Sequence, residues 1–274
     1  MTIRDFSGKT VLVTGAGGGL GRALCLRFAK AGARVAGLDV DAGALESLKR
    51  ELDGLQAESA AAVADLTDEA AVLRAVGELR GRLGPIHTLI CNAGITHLKN
   101  FDGSQAAPIR RVMDVNFMGS VHTVAACYDD VVSQSGAMAA ISSVAGYAPL
   151  IGRTGYCASK HALHGFFDTL RCELRHTGVD VTLVCPSYIA TGIRRRFESA
   201  EPDTGAPDPS DSGGKGRTVG SEMTPEQAAE QIFQAVSKRR RLAPLGRVGH
   251  FSWWCRKLAP RLYEHLMQRS IQDE

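Results

Sequence analysis

The chain has 274 residues, of which 44% are hydrophobic and 22% charged, and these values are typical of a globular protein long enough to bury a full core. No run of about 20 apolar residues occurs and the N-terminus lacks an apolar signal region, so we expect neither a membrane-spanning helix nor a secretory signal. Seven scattered cysteines without a C-x-x-C pair predict reduced thiols in a cytoplasmic protein and argue against a metal site.

Short apolar runs alternate with longer helical patterns. In chain order, we predict a strand at Thr10–Thr14, a helix at Leu20–Lys30, a strand at Arg34–Asp39, a helix at Ala42–Leu52, a strand at Ser59–Ala64, a helix at Glu69–Arg82, a strand at Ile86–Cys91, a long helix within Gln105–Gln134, a strand at Ala137–Ser142, a helix at Thr154–Thr177 and a strand at Val179–Cys185. Apolar strands that alternate with helices predict an α/β fold, a Rossmann-type doubly wound parallel sheet with helices on both faces.

Two segments follow the last predicted strand. Glu198–Glu222 is rich in Pro, Gly, Ser and Asp, and we predict a mobile substrate loop. It is either an unconstrained surface loop or a lid over the substrate, and both interpretations stay open. We assign residues 1–245 to one domain and 246–274 to a basic, aromatic helical extension of it.

The turn after the first strand is rich in glycine. Its sequence, TGAGGGLG over Thr14–Gly21, has the spacing T-G-x-x-x-G-x-G and opens the first helix. Glycines let a backbone approach a pyrophosphate closely, and a helix N-terminus presents free N–H groups to it. Asp39 closes the second strand, where an acidic side chain accepts hydrogen bonds from ribose hydroxyls and repels a 2′-phosphate. We therefore predict NAD, rather than NADP, as the cofactor.

Tyr156 and Lys160 are four residues apart on a predicted helix and share one face. A nearby ammonium favours the phenolate, which predicts a tyrosine with a lowered pKa that exchanges a proton with a substrate hydroxyl.

At these positions the chain resembles the classical short-chain dehydrogenase/reductase family, over roughly residues 7–245. The resemblance rests on the glycine turn, Asp39, Asp65, Asn92-Ala93-Gly94, Asn116, Ser142-Ser143, Tyr156-x-x-x-Lys160, Pro186 and Thr191. Two residues depart from the family pattern: Cys91 replaces a frequent Asn, and Ser187 replaces the usual Gly. The second departure weakens what the resemblance implies for Ile189 and Thr191.

The resemblance implies a catalytic tetrad. Ser143 would stabilise charge on the substrate oxygen, Tyr156 would be the general acid/base, and Lys160 would bind the nicotinamide ribose and depress the tyrosine pKa. Asn116 would hold a water that links Lys160 to solvent. The implied cofactor-binding residues are Gly15, Gly19, Leu20, Gly21, Asp39, Asp65, Leu66, Asn92, Gly94, Tyr156, Lys160, Pro186, Ile189 and Thr191. Taken singly, Asn116 also suits a helix bend, the two serines a strand end, and Thr191 a helix N-cap.

Residues near the expected reactive centre are mostly apolar, so we predict an apolar substrate such as a lipid, ring or steroid-like compound. The candidates are Ile95, His97, Val144, Tyr147, Leu150, Ile151, Tyr188 and Ile193. For His97, an ordinary loop side chain is the simpler interpretation.

The C-terminal tail is basic and aromatic. Residues 238–269 contain nine Lys or Arg, one acidic residue and both tryptophans of the chain. Three interpretations stay open: a helix pair packed on the domain or a partner subunit, peripheral membrane contact, or contact with a carrier-bound substrate. No nucleic-acid recognition motif accompanies the charge.

The leading functional hypothesis is an NAD(H)-dependent oxidoreductase that interconverts a secondary alcohol and a ketone. The alternatives are a 3-oxoacyl-thioester reductase of the same family and a non-catalytic NAD sensor. The complete tetrad argues against a sensor. Family resemblance further implies a homodimer or homotetramer formed through the long helices.

Overall fold

Seven parallel strands form the centre of the fold. The structure, a computed structural model, describes residues 3–101, 106–190 and 222–272. The strands are β1 Thr10–Thr14, β2 Arg34–Asp39, β3 Ser59–Val63, β4 Ile86–Cys91, β5 Ala137–Ile141, β6 Asp180–Cys185 and β7 Leu242–Pro244. Their order across the sheet is β3-β2-β1-β4-β5-β6-β7. The chain reverses its direction across the sheet between β1 and β4, so a crevice opens beyond the carboxyl ends of these strands. The predicted Rossmann-type sheet and its first six strands are confirmed.

Helices cover both faces of the sheet. They are α1 Gly19–Ala29, α2 Ala42–Gly54, α3 Glu69–Leu83, α4 Ala106–Met113, α5 Gly119–Ser133, α6 Thr154–Glu173, α7 Pro225–Ser237, α8 Gly246–Leu258 and α9 Pro260–Gln272. The long helix expected within 105–134 is present as α4 and α5, joined by a π-helical turn at Asp114–Met118. Short 3₁₀ turns occur at Val144–Gly146 and at Leu174–His176. Among the described residues, none of the helices combines the length and the apolar character needed to cross a membrane.

The core has two layers because successive strand residues point to opposite faces. Leu12 of β1 and Leu89 of β4 pack with α3, α5 and α6 on one face. Val11, Val13 and Ile90 pack with α1, α2 and α7 on the other. Burial on both faces explains why these strands are apolar without alternation.

Helix α7 and strand β7 were not predicted, although the start of α7 carries a clear signal. Thr224 accepts a hydrogen bond from the backbone N–H of Gln227, whose side chain accepts one from the Thr224 N–H, and Pro225 occupies the first turn. The helix then buries Ile232 against α1. Apart from Glu222, the predicted mobile loop 198–222 lies outside the described residues.

Candidate active site

A cavity of about 980 Å³ lies beyond the carboxyl ends of β1, β4, β5 and β6. It runs from the glycine turn to the C-terminal helices. Its lining residues are Gly15, Gly17, Gly18, Gly19, Leu20, Gly21, Asn92, Ala93, Gly94, Thr96, Ile141, Ser142, Ser143, Val144, Leu150, Arg153, Tyr156, Lys160, Pro186, Ser187, Tyr188, Ile189, Glu222, Val248, Phe251, Ser252, Tyr263, Leu266 and Met267.

The glycine turn is packed too closely for side chains. Gly15 has φ +64°, and a Cβ atom at Gly21 would lie 1.9 Å from the Gly15 carbonyl oxygen. Helix α1 starts after Gly18 without a side-chain cap and without an acidic residue in its first turn. Its first N–H groups are thus suited to an anion, and the turn fits the pyrophosphate of a dinucleotide.

The polar residues around this turn hold β1, β2 and β4 together. The Thr14 hydroxyl accepts hydrogen bonds from the backbone N–H groups of Asn92 and Ala93, both at 3.0 Å. The Asn92 side chain donates to the Thr14 carbonyl at 2.9 Å. Asp39 is 4% exposed, and its Oδ2 accepts from the Gly17 N–H at 2.9 Å. The carboxylate is thereby fixed beside the glycine turn.

Most of the remaining predicted cofactor residues reach the cavity. Gly19, Leu20, Gly94, Pro186 and Ile189 line it. Asp65 and Leu66 follow β3 at the same edge of the sheet but are not part of the lining. Asp65 is exposed and accepts hydrogen bonds from the backbone N–H and the hydroxyl of Thr67, so its predicted adenine contact stays a prediction. Thr191 lies outside the described residues.

Three residues of the predicted tetrad, Ser143, Tyr156 and Lys160, line the same cavity. Ser143 follows β5 and caps the 3₁₀ turn, its oxygen accepting from the Ala145 N–H at 3.1 Å. Tyr156 and Lys160 project from the first turns of α6. The Lys160 amine lies 5.5 Å from the centre of the Tyr156 ring and donates to the Ile141 carbonyl oxygen at 2.8 Å.

The pKa of Tyr156 departs from the prediction. Burial raises it above its ordinary value of 10.0, against the lowering effects of a hydrogen bond with Ser143 and of the Arg153 charge. Lys160, expected to depress the tyrosine pKa, is not among these causes. Burial also lowers the pKa of Lys160 from 10.5 to about 8. The spacing of Tyr156 and Lys160 in the sequence cannot predict these pKa shifts, because desolvation depends on the residues that surround the two side chains.

Asn116 lies in the π-helical turn and is fully buried. Its Oδ1 accepts from the Ile95 N–H at 2.8 Å, and its Nδ2 donates to the Ile95 carbonyl and to the Ser159 hydroxyl at 3.0 and 2.9 Å. The side chain therefore anchors the segment that follows β4 onto α6. A Cβ atom at Gly94 would lie 3.2 Å from Asn116 Oδ1 and 3.6 Å from Lys160 Nζ. The water relay expected for Asn116 stays a prediction.

Not all predicted substrate residues reach the cavity. Val144, Leu150 and Tyr188 line it, whereas Ile95, His97, Tyr147 and Ile151 do not. Tyr147 is turned away: its hydroxyl donates to the Gly249 carbonyl at 2.9 Å, and its ring meets Trp253 edge-on at 5.0 Å. Ile193 lies outside the described residues.

The departures at Cys91 and Ser187 have different surroundings. Cys91 is buried in the core below α5. Ser187 lines the cavity, and a Cβ atom at Gly246 would lie 3.8 Å from its hydroxyl.

Sequence reasoning missed two groups of lining residues. Arg153 is half-buried, donates to the Thr96 hydroxyl at 3.2 Å and has its guanidinium carbon 6.0 Å from the centre of the Tyr156 ring. Its position three residues before Tyr156 was the available signal. The C-terminal helices contribute the second group, which consists of Val248, Phe251, Ser252, Tyr263, Leu266 and Met267.

Comparisons with known proteins agree with this geometry. A family model described as short chain dehydrogenase matches residues 9–202. The dehydrogenase/reductase SDR family member 7B of Xenopus tropicalis is 33% identical over 272 residues, covering 96% of this chain and 86% of that protein. A short-chain dehydrogenase/reductase from Burkholderia phymatum, solved in complex with NAD, has a TM-score of 0.79 at 28% identity and covers 88% of this chain and 89% of its own. A levodione reductase has a TM-score of 0.79 at 25% identity, with 90% and 98% covered.

Proposed function

Because this chain belongs to the short-chain dehydrogenase/reductase family of oxidoreductases, we propose that it transfers a hydride between NAD(H) and the carbon of a secondary alcohol or ketone. The observation that carries the proposal is that Ser143, Tyr156 and Lys160 line one cavity together with the glycine turn. The cavity therefore brings proton-transfer groups next to a dinucleotide cradle.

A bound nicotinamide would supply or accept the hydride, and the protein's own residues would handle the proton. In ketone reduction, the neutral Tyr156 phenol donates its proton to the substrate oxygen, and its raised pKa keeps it protonated at neutral pH. Ser143 donates a hydrogen bond to the same oxygen as negative charge develops there. Lys160, with a pKa of about 8, is mostly charged at pH 7 and favours that negative charge. Alcohol oxidation uses the same groups in reverse.

The preference for NAD rests on Asp39. Its carboxylate is held beside the glycine turn by the Gly17 N–H at 2.9 Å. A carboxylate fixed there repels a 2′-phosphate and accepts hydrogen bonds from ribose hydroxyls. Neither the turn residues 16–18 nor residues 40 and 41 contribute a Lys or Arg that would offset the repulsion.

For the substrate, we propose an apolar alcohol or ketone with room for one polar or acidic substituent. Val144, Leu150, Val248 and Met267 give the cavity apolar walls. Arg153 is a cation in those walls, and within the described ranges no carboxylate forms an ion pair with it. A preference for small sugars, or for small hydroxy acids without an apolar body, would contradict this proposal.

The test is a panel of apolar ketones and secondary alcohols, each with and without a carboxylate, followed by NADH and NADPH absorbance. We expect Tyr156→Phe to abolish turnover and to keep NADH binding, measured by fluorescence titration. Tyr128→Phe, at an exposed tyrosine of α5, is the matched control and should keep wild-type turnover. Substantial activity of Tyr156→Phe would remove Tyr156 from its role.

We also propose a homodimer or homotetramer, for which the support is family resemblance. Light scattering after gel filtration tests it.

A further inference from the structure

The C-terminal helices carry an exposed apolar face. Phe251, Trp254 and Leu258 of α8 and Leu262 and Leu266 of α9 form this C-terminal apolar face, and each is between 41% and 74% exposed. In α8 the members are three and four residues apart, which places them on one side of the helix.

The opposite side of the same helices already packs on the domain. Cys255 and Tyr263 are buried against Val144 and Ala148, next to the 3₁₀ turn that Ser143 caps. The two helices therefore pack on the domain through one side, and the C-terminal apolar face on their other side is exposed to solvent. Large exposed apolar areas of this kind mark interaction surfaces.

Basic side chains lie on the same two helices as this face. Arg247, Lys257 and Arg261 are exposed, while Arg256 pairs with Glu264 at 3.1 Å. Residues 246–272 contain five Lys or Arg and only one acidic residue, Glu264. An apolar centre with a tryptophan and a cationic border is complementary to an anionic lipid surface.

We propose that the C-terminal apolar face docks on an anionic phospholipid bilayer. Trp254, Leu258 and Leu262 enter the interface, and Lys257 and Arg261 meet the lipid phosphates. A second copy of the chain fits less well, because pairing two such faces would bring their positive borders together. This docking does not depend on the proposed reaction.

Docking would also place the cavity mouth at the membrane. Phe251 and Leu266 belong both to the C-terminal apolar face and to the cavity lining. A substrate dissolved in the bilayer could pass between them without crossing water. This route for the substrate rests on the proposed function, and it narrows the substrate class to membrane-soluble alcohols or ketones.

The two tryptophans provide a direct test, since the chain contains no others. Trp254 is 56% exposed, whereas Trp253 is turned inward against Tyr147. Full-length Trp253→Phe and Trp254→Phe proteins, each with one tryptophan, are mixed with phosphatidylcholine/phosphatidylglycerol vesicles containing brominated lipid. We expect strong quenching of Trp254 fluorescence and much weaker quenching of Trp253. The proposal fails if Trp254 is not quenched or if both are quenched equally.

Co-sedimentation of the protein with anionic vesicles, without cofactor or substrate, is the second test. Each juxtamembrane cation contributes about 1 kcal/mol, so Lys257→Glu should weaken binding to anionic vesicles at least about fivefold. Arg74→Glu, at an exposed arginine of α3, is the charge-matched control and should bind like the wild type. Equal loss in both variants, or no vesicle binding by the wild type, overturns the proposal.

Gel filtration with light scattering tests the alternative, in which a second copy of the chain binds to the C-terminal apolar face. If Trp254→Ser dissociates an oligomer and leaves vesicle binding unchanged, the face is an interface between copies and the proposal is wrong. Turnover of a water-soluble ketone, measured in parallel, reports on the proposed function separately.

Discussion

Replacing Gly21 by alanine tests whether the glycine turn is shaped for a dinucleotide. The added methyl carbon would lie 1.9 Å from the Gly15 carbonyl oxygen, 2.7 Å from its carbon and 2.9 Å from Asn92 Nδ2. Two of these contacts are with backbone, so no side-chain rotation relieves them. Non-bonded heavy atoms are most stable about 3.5 Å apart, and the turn must therefore move by more than about 1 Å.

This displacement has two measurable consequences. Overpacking at a tight site typically costs about 1–3 kcal/mol, which should lower the melting temperature. The N–H groups of α1 would also move relative to the Asp39 carboxylate. Displacement by about 1 Å in a preorganised site can cost about 100-fold in rate, so we expect a loss of that order in kcat/KM together with weaker NADH binding.

The control is another glycine-to-alanine change in the same protein. Gly77 lies in α3, and a Cβ atom there would meet nothing within 4 Å. Gly77→Ala should raise stability by about 0.5–1 kcal/mol and leave NADH affinity unchanged. Fluorescence titration and thermal melts of both variants decide the matter: wild-type NADH affinity in Gly21→Ala would refute the assignment of the turn.

Three further changes address the charges of the site. Arg153→Met removes a charge that lowers the pKa of Tyr156, so the pH at which alcohol oxidation reaches half its maximum should rise; an unmoved kcat/KM profile would contradict this. Lys160 has a folded pKa of about 8 against 10.5 ordinarily, so its buried charge destabilises the fold below pH 8 and this cost fades as the pH rises to 10.5. In denaturant titrations of the wild type, the free energy of unfolding should therefore rise by on the order of 3 kcal/mol between pH 8 and pH 10.5. Lys160→Met should abolish turnover and should not show this rise. Asp39→Ala with Val40→Arg should shift kcat/KM toward NADPH; an unmodified enzyme that already used NADPH as well as NADH would contradict the cofactor assignment.

The sheet and the positions of the motifs could be predicted because they depend on local pattern. Strand β1 is apolar on both faces and is followed directly by glycines, and β4 is followed by Asn92. Parallel strands place their carboxyl ends at one edge, so these segments had to meet once the order of the strands was known. The hydrogen bonds between Thr14 and Asn92 show how closely they meet.

The features that could not be predicted from the sequence depend on contacts between residues that are far apart in the chain. Tyr147 follows a motif serine and looked like a substrate residue, but Gly249 and Trp253, about a hundred residues later, turn it away. The cavity wall formed by Val248 and Tyr263 could not be predicted either, because apolar residues in a helical tail do not reveal which side of the helix faces the domain. The raised pKa of Tyr156 has the same origin, since it follows from burial by the completed fold.

Burial acts in opposite directions on the two titrating groups of the site. It raises the pKa of the Tyr156 phenol and lowers that of the Lys160 amine to about 8, because burial favours the neutral form of both groups. As the pH rises from 7, Lys160 therefore loses its proton before Tyr156 does. A change in activity near pH 8 would then belong to the amine, and a change at higher pH to the phenol. Because the Arg153 charge contributes to the pKa of Tyr156 and not to that of Lys160, Arg153→Met should move the second change and leave the first in place.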